Sequence, residues 1–191
     1  MGNRVGIFGG SFDPVHSGHV EAVNSFISSG LLNEIWVMLT PDPPHKKGKS
    51  KAPYTDRLAM LKLAFEEMDS VVVSTYEKDL PAPSYTLQTL KHLEEQYPDN
   101  TFFLCLGGDS VSHFHEWYRF EEILDICNLI AVQRPGSDPE HADPRVLEKT
   151  IFVEHTPLDI SSTGVRSANS AMGHHLPESV EHYINKYNLY S

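Results

Sequence analysis

The sequence is poor in cysteine, short of basic residues and without a long apolar run, and each shortage removes a class of explanation. Only two cysteines, Cys105 and Cys127, occur in 191 residues. No CxxC pair exists to hold zinc or carry redox chemistry, and both thiols lie among apolar neighbours, so both read as reduced core residues. Uninterrupted apolar stretches such as Phe102 to Leu106 are far too short to cross a bilayer. The N-terminus also lacks the pattern of a cleavable signal, which points to a cytoplasmic protein without membrane contact. Lys and Arg number 15 against 26 Asp and Glu, for a formal charge of −11. Such a field repels nucleic acid and anionic lipid, so any anion site must be local. The 11 histidines show neither HExxH nor paired Cys/His spacing, and no metal site is expected of them.

What is present is an alternation of strand-like and helix-like segments. Arg4 to Phe8, Glu34 to Leu39, Val71 to Thr75, Thr101 to Leu106, Leu129 to Val132 and a short piece at Ile151 to Glu154 are β-rich. Between them, helical apolar spacing runs from Val20 onward, over Tyr54 to Met68, over Ser84 to Tyr97 and near Arg119 to Ile126. This order predicts an α/β fold of the Rossmann-like, doubly wound kind: a parallel sheet with helices on both faces and right-handed crossovers. At 191 residues and 40% hydrophobic content, a single domain spanning 1–191 is expected. In such sheets ligands bind at the carboxyl ends of strands, where the strand order reverses. The loops holding His16 and His19, His45 to Lys47, Gly107 to Asp109, and Arg134 all fall along that edge.

Two segments carry the chemistry. Gly9 to His19 reads GGSFDPVHSGH and joins the first strand to the first helix. Gly9 and Gly10 let backbone amides approach an anion, the helix start adds its positive dipole end, and His16 and His19 add two donors. This turn contains neither GxGxxG nor GxxxxGK[ST], so it indicates neither dinucleotide-binding nor P-loop chemistry. Near the C-terminus, Ile160 to Arg166 reads ISSTGVR. Alone it is an ordinary helix cap with a solvated arginine. Beside the first segment it offers hydroxyls, amides and a guanidinium fork to a polyphosphate.

Together these segments resemble the signature pair of the HxGH nucleotidyltransferase superfamily. The intervening PPHK (Pro43 to Lys46), PSYT (Pro83 to Thr86), Thr89-Leu90, GGDS (Gly107 to Ser110), Trp117 and RPG (Arg134 to Gly136) recur in the order of bacterial nicotinate-nucleotide adenylyltransferases. The resemblance spans nearly the whole chain. It implies an enzyme that joins ATP and nicotinate mononucleotide, with Mg²⁺ accompanying ATP and no dedicated protein ligand for the metal, in NAD biosynthesis. By the same resemblance, His16, His19 and Arg166 are catalytic, with His19 supporting the transition state. Gly9, Gly10, Ser11, Phe12, His16, His19, Gly107, Asp109, Arg134, Ser162, Thr163 and Arg166 bind ATP, Asp109 through the ribose. Lys46, Tyr85, Thr86 and Trp117 bind the mononucleotide, Trp117 by stacking on the pyridine ring.

Physical chemistry agrees with that reaction type. The attacking phosphate is already ionised at neutral pH, so no general base or protein nucleophile is needed, and none is evident. Competing readings are a phosphopantetheine or nicotinamide-mononucleotide adenylyltransferase, a nucleotide-binding protein without catalysis, and a dehydrogenase. The sequence indicates no oligomeric state.

Overall fold

The computed structural model describes residues 2–41, 51–133, 142–156, 158, 160–167 and 175–190. Six parallel strands form one sheet: β1 (Arg4–Gly10), β2 (Glu34–Leu39), β3 (Val71–Ser74), β4 (Thr101–Gly107), β5 (Asn128–Val132) and β6 (Thr150–Val153), in the order β3-β2-β1-β4-β5-β6. The helices are α1 (Ser17–Ser28), α2 (Tyr54–Phe65), α3 (Thr86–Gln96), α4 (Gly108–Ser112), α5 (Phe120–Ile126), α6 (Pro144–Glu148), α7 (Ser162–Ser167) and α8 (Glu178–Tyr187). This is the α/β doubly wound arrangement expected from the sequence, and the strand order reverses between β1 and β4.

The two faces of the sheet bury separate sets of side chains, as the period-two alternation of strands requires. Ile35, Val37, Leu39, Ile130 and Val132 pack with Ala22, Val23 and Phe26 of α1, Met60 and Leu61 of α2, and Val180 and Ile184 of α8. Val5, Ile7, Met38, Leu104, Leu129 and Ala131 pack on the other face with Leu87, Leu90 and Leu93 of α3, Ile123 of α5 and Val146 of α6. Each fully buried Leu, Ile or Phe contributes about 1.5–3 kcal/mol relative to exposure, so the two layers fix the sheet that carries the loops. Both cysteines are buried and unpaired, as expected. Burial pushes the Cys127 thiol up to about 12 and raises that of Cys105 as well, which keeps both protonated and unreactive.

Differences from the sequence reading lie at element ends. Helix α1 begins at Ser17 rather than near Val20, because extended His16 (φ −141°, ψ 168°) caps it. Helix α2 stops at Phe65 rather than Met68, and α3 starts at Thr86 rather than Ser84. The five-residue helices α4 and α6 are too short to display a 3.6-residue period and were not legible. No described helix is long and apolar enough to cross a membrane.

Candidate active site

Register shows where the sheet opens. Strand β1 pairs with β2 as far as Gly10 and Leu39, but its pairing with β4 ends at Ile7 and Leu104. Beyond that point β1 and β4 separate, and the gap at the reversal of strand order is where an α/β sheet receives its ligand. A cavity of ≈ 640 Å³ fills it. Ile7, Gly9, Gly10 and Leu104 line this cavity from the sheet, Tyr85 and Thr86 from the start of α3, and Trp117 and Tyr118 from the segment before α5. A Cβ on Gly9 would meet no protein atom within 4 Å, so that bare backbone faces room for a ligand. A second cavity, of ≈ 610 Å³, lies at the same edge, lined by Glu21 and Asn24 of α1, Gln133 after β5, and His155 and Thr156 after β6.

Between β1 and α1 the loop leading to His16 is held in a conformation it would not adopt alone. Phe12 has φ 41°, the left-handed region, rare for a bulky residue and kept only where surroundings enforce it. Its ring is buried and meets Phe8 and His19 edge to face at centroid distances of 5.7 and 5.0 Å. Any contact Phe12 makes with a nucleotide is therefore through its backbone. The guanidinium of Arg57, on α2, donates to the carbonyls of Ser11 (2.7 Å), Thr40 (3.2 Å) and Pro41 (3.4 Å). Burial lowers the pKa of Arg57, and the nearby Asp13 carboxylate works against that shift.

His16 and His19 come together as expected, with rings stacked at 3.7 Å and tilted by 27°. They are not equivalent. His16 is 1% exposed and lies beneath Gly18, whose hypothetical Cβ would come within 3.1 Å of its Nδ1, so a side chain there would have to displace that ring slightly. His19 is half-buried and carries the accessible edge. The His16 backbone N–H donates to His19 Nδ1 at 3.2 Å. An accepting Nδ1 puts the ring proton of neutral His19 on Nε2, across the ring, where it can donate to an anion.

The ISSTGVR segment docks on this loop. Ser161 takes the capping role, its Oγ accepting from Gly164 N at 3.1 Å. Ser162 is thereby released to donate from Oγ to the Pro14 carbonyl at 3.0 Å, and Arg166 Nη1 donates to the Asp13 carbonyl at 2.5 Å, across 148 and 153 residues of sequence. Arg166 Nη2 donates to Thr163 Oγ1 at 3.1 Å. Two of the five guanidinium N–H groups are thus committed to orientation.

Gly107 caps α4, and Asp109 is exposed on its first turn without serving as the cap. Trp117 is half-buried: it stacks on Phe114 (4.8 Å, 29°) and also lines the larger cavity. Lys46 and Arg134, with His45 and Lys47, lie outside the described residues. Several residues of the site were not foreseen. Tyr118 packs against Tyr85, their ring centroids 4.7 Å apart and the planes tilted by 35°. Glu77 is buried beside the cavity and accepts from Thr89 Oγ1 at 3.1 Å; burial raises its carboxyl pKa, and hydrogen bonds from Thr40 and Thr89 oppose the rise. The only signal for these was their place next to expected residues: Tyr118 follows Trp117, and Glu77 precedes PSYT by six residues. Among the described residues no group of three or more His, Cys, Asp or Glu is arranged to hold a metal ion.

Fold and site place the chain in a class of α/β nucleotidyl-transferring proteins, and a family model described as cytidylyltransferase-like matches residues 7–168. The nicotinate-nucleotide adenylyltransferase of Bacillus subtilis is 32% identical over 190 residues, 98% of each chain. A probable nicotinate-nucleotide adenylyltransferase of Gloeobacter violaceus is 38% identical over 200 residues, covering 100% of this chain and 97% of the relative. The fold is shared with the nicotinic acid mononucleotide adenylyltransferase of Plasmodium falciparum solved in complex with NaAD, at a TM-score of 0.81 and 22% identity over 98% of this chain and 97% of that one. The chain belongs to the nicotinate-nucleotide adenylyltransferase family.

Proposed function

We propose that this protein transfers the adenylyl group of ATP to nicotinate mononucleotide, forming nicotinate adenine dinucleotide and releasing pyrophosphate. One observation carries the reading. The helix bearing Ser162, Thr163 and Arg166 is bonded directly to the Asp13–Pro14 carbonyls of the histidine loop, so donors from both ends of the chain meet beside a cavity lined by Tyr85, Thr86 and Trp117. The names of the relatives, matched over nearly their full length, support the choice of substrates.

In this reading the larger cavity receives the pyridine ring and the smaller one, with amide and hydroxyl groups on Asn24, Gln133 and Thr156, receives the adenosine end. The reacting phosphates then lie between the two, over Gly9, Gly10 and His19. A phosphate oxygen of the mononucleotide attacks the α-phosphorus of ATP in line, and the bond to the bridging β-phosphate oxygen breaks. Charge that grows on the α-phosphate and on departing pyrophosphate is met by His19 Nε2–H, Arg166 and the loop amides. His16 orients His19 from behind. Asp13 is the acidic residue of the histidine loop, and both its oxygens already accept protein hydrogens, from Lys51 N, Ala52 N and the Tyr190 hydroxyl. Mg²⁺ would therefore arrive on the ATP phosphates, with water completing its shell, and neutralise their charge there.

The deciding experiment offers nicotinate mononucleotide, nicotinamide mononucleotide and phosphopantetheine separately, each with ATP and Mg²⁺, and follows pyrophosphate release. Strong preference for nicotinate mononucleotide is expected, and no release with any of the three would overturn the reading. Trp117→Ala is expected to raise KM for the mononucleotide by about tenfold while leaving KM for ATP within about twofold, because stacking on a pyridinium is lost and no phosphate contact is. Equal losses for both substrates would make Trp117 a packing residue only.

A further inference from the structure

Helix α8 ends in a way that returns the chain to the phosphate loop. Asn188 takes the left-handed conformation (φ 53°), and Leu189 N–H donates to the Ile184 carbonyl at 3.1 Å, the wide bond of a Schellman-type helix end. Leu189 packs at the core and Tyr190, also left-handed (φ 66°), turns inward. Its hydroxyl donates to Asp13 Oδ1 at 2.8 Å. That carboxylate also accepts from Lys51 N (2.8 Å) and Ala52 N (3.1 Å), and the carbonyl of the same residue receives Arg166. Asp13 thus joins the phosphate loop, the chain entering α2, the end of the chain past α8, and the arginine of α7.

We propose that Tyr190 is a positioning residue for ATP: its hydroxyl fixes the Asp13 carboxylate and so sets where the phosphate loop and Arg166 stand relative to one another. The inference rests on the proposed adenylyl transfer for its kinetic readout but not for its binding readout. Tyr190 lines neither of the two cavities assigned to substrate. It acts through the backbone of Asp13 and Pro14, whose carbonyls hold Arg166 and Ser162, and loss of its hydroxyl lets that backbone shift while the aromatic ring still fills its place.

Tyr190→Phe tests this. Calorimetric titration with a non-hydrolysable ATP analogue and steady-state kinetics are run on both proteins, with thermal melting as the check on folding. Removing one hydrogen bond to a charged acceptor is expected to weaken analogue binding and raise KM for ATP by about tenfold, with KM for the mononucleotide little changed. Tyr190→Gln, which keeps an amide donor near that position, is expected to recover part of the loss. Unchanged analogue binding by Tyr190→Phe, or equal loss for both substrates in step with a lower melting temperature, overturns the proposal. A wild-type protein that binds the analogue but releases no pyrophosphate would instead overturn the reaction, leaving the binding comparison to decide the role of Tyr190.

Discussion

His19→Ala is expected to lower kcat by about two to three orders of magnitude, the usual effect of removing one preorganised donor to transition-state charge, with melting little changed. The ring is half-buried, and its contacts are the stacked His16 and the rings of Phe12 and Phe8 at the rim of the core, so the packing lost is small. What the substitution takes away is Nε2–H, held in place by the bond from His16 N–H to Nδ1. Binding of ATP in the ground state keeps Arg166 and the loop amides, so KM for ATP should move far less than kcat. Single-turnover measurement separates the two effects, because it reads the chemical step without product release. A rate within about threefold of wild type would mean that His19 is not at the α-phosphate.

Arg57→Met should act on stability instead. The guanidinium is 2% exposed and holds carbonyls on both sides of the site, Ser11 in the phosphate loop and Thr40 and Pro41 beyond β2. Methionine fills most of the volume but donates nothing, leaving those carbonyls short of partners and the Asp13 carboxylate without its nearby countercharge. The expected cost is about 3–5 kcal/mol, the range found when one member of a buried charged network is removed. Urea denaturation is the suitable measurement: the midpoint should fall while the slope stays the same. A loss below about 1 kcal/mol would show that water replaces the guanidinium, and that the loop keeps its shape without it.

Arg57 also shows what the sequence could not reveal. Within α2 it is a charged residue on a helix of modest apolar pattern, and such residues ordinarily face water. Its burial depends on carbonyls 16 to 46 positions away, which no local period encodes. Asp13 and Tyr190 pose the same difficulty at a separation of 177 residues. By contrast, the strand-to-helix loop with His16 and His19 was legible because glycine, helix start and histidine are adjacent in sequence. The parallel sheet followed from the alternation of short β-branched runs with amphipathic stretches. ISSTGVR was read as a partner of the first segment only when the two were set side by side; its spacing alone fits a plain cap, and Ser161 does serve as one. Trp117 packs on Phe114 and also lines the cavity, a double placement that its polar sequence neighbours do not reveal.

The central place of β1 in the sheet has a thermodynamic consequence. A strand flanked by β2 and β4, with helices packed over both faces, exchanges its amide hydrogens only when the whole molecule opens, whereas loops and edge strands exchange through smaller fluctuations. The phosphate loop is a direct extension of that strand. Nucleotide binding is thereby linked to the global folding equilibrium: saturating ATP should slow exchange at Val5 and Ile7 by the factor 1 + [L]/Kd, and a ligand-induced shift in melting temperature becomes a measure of affinity that requires no turnover.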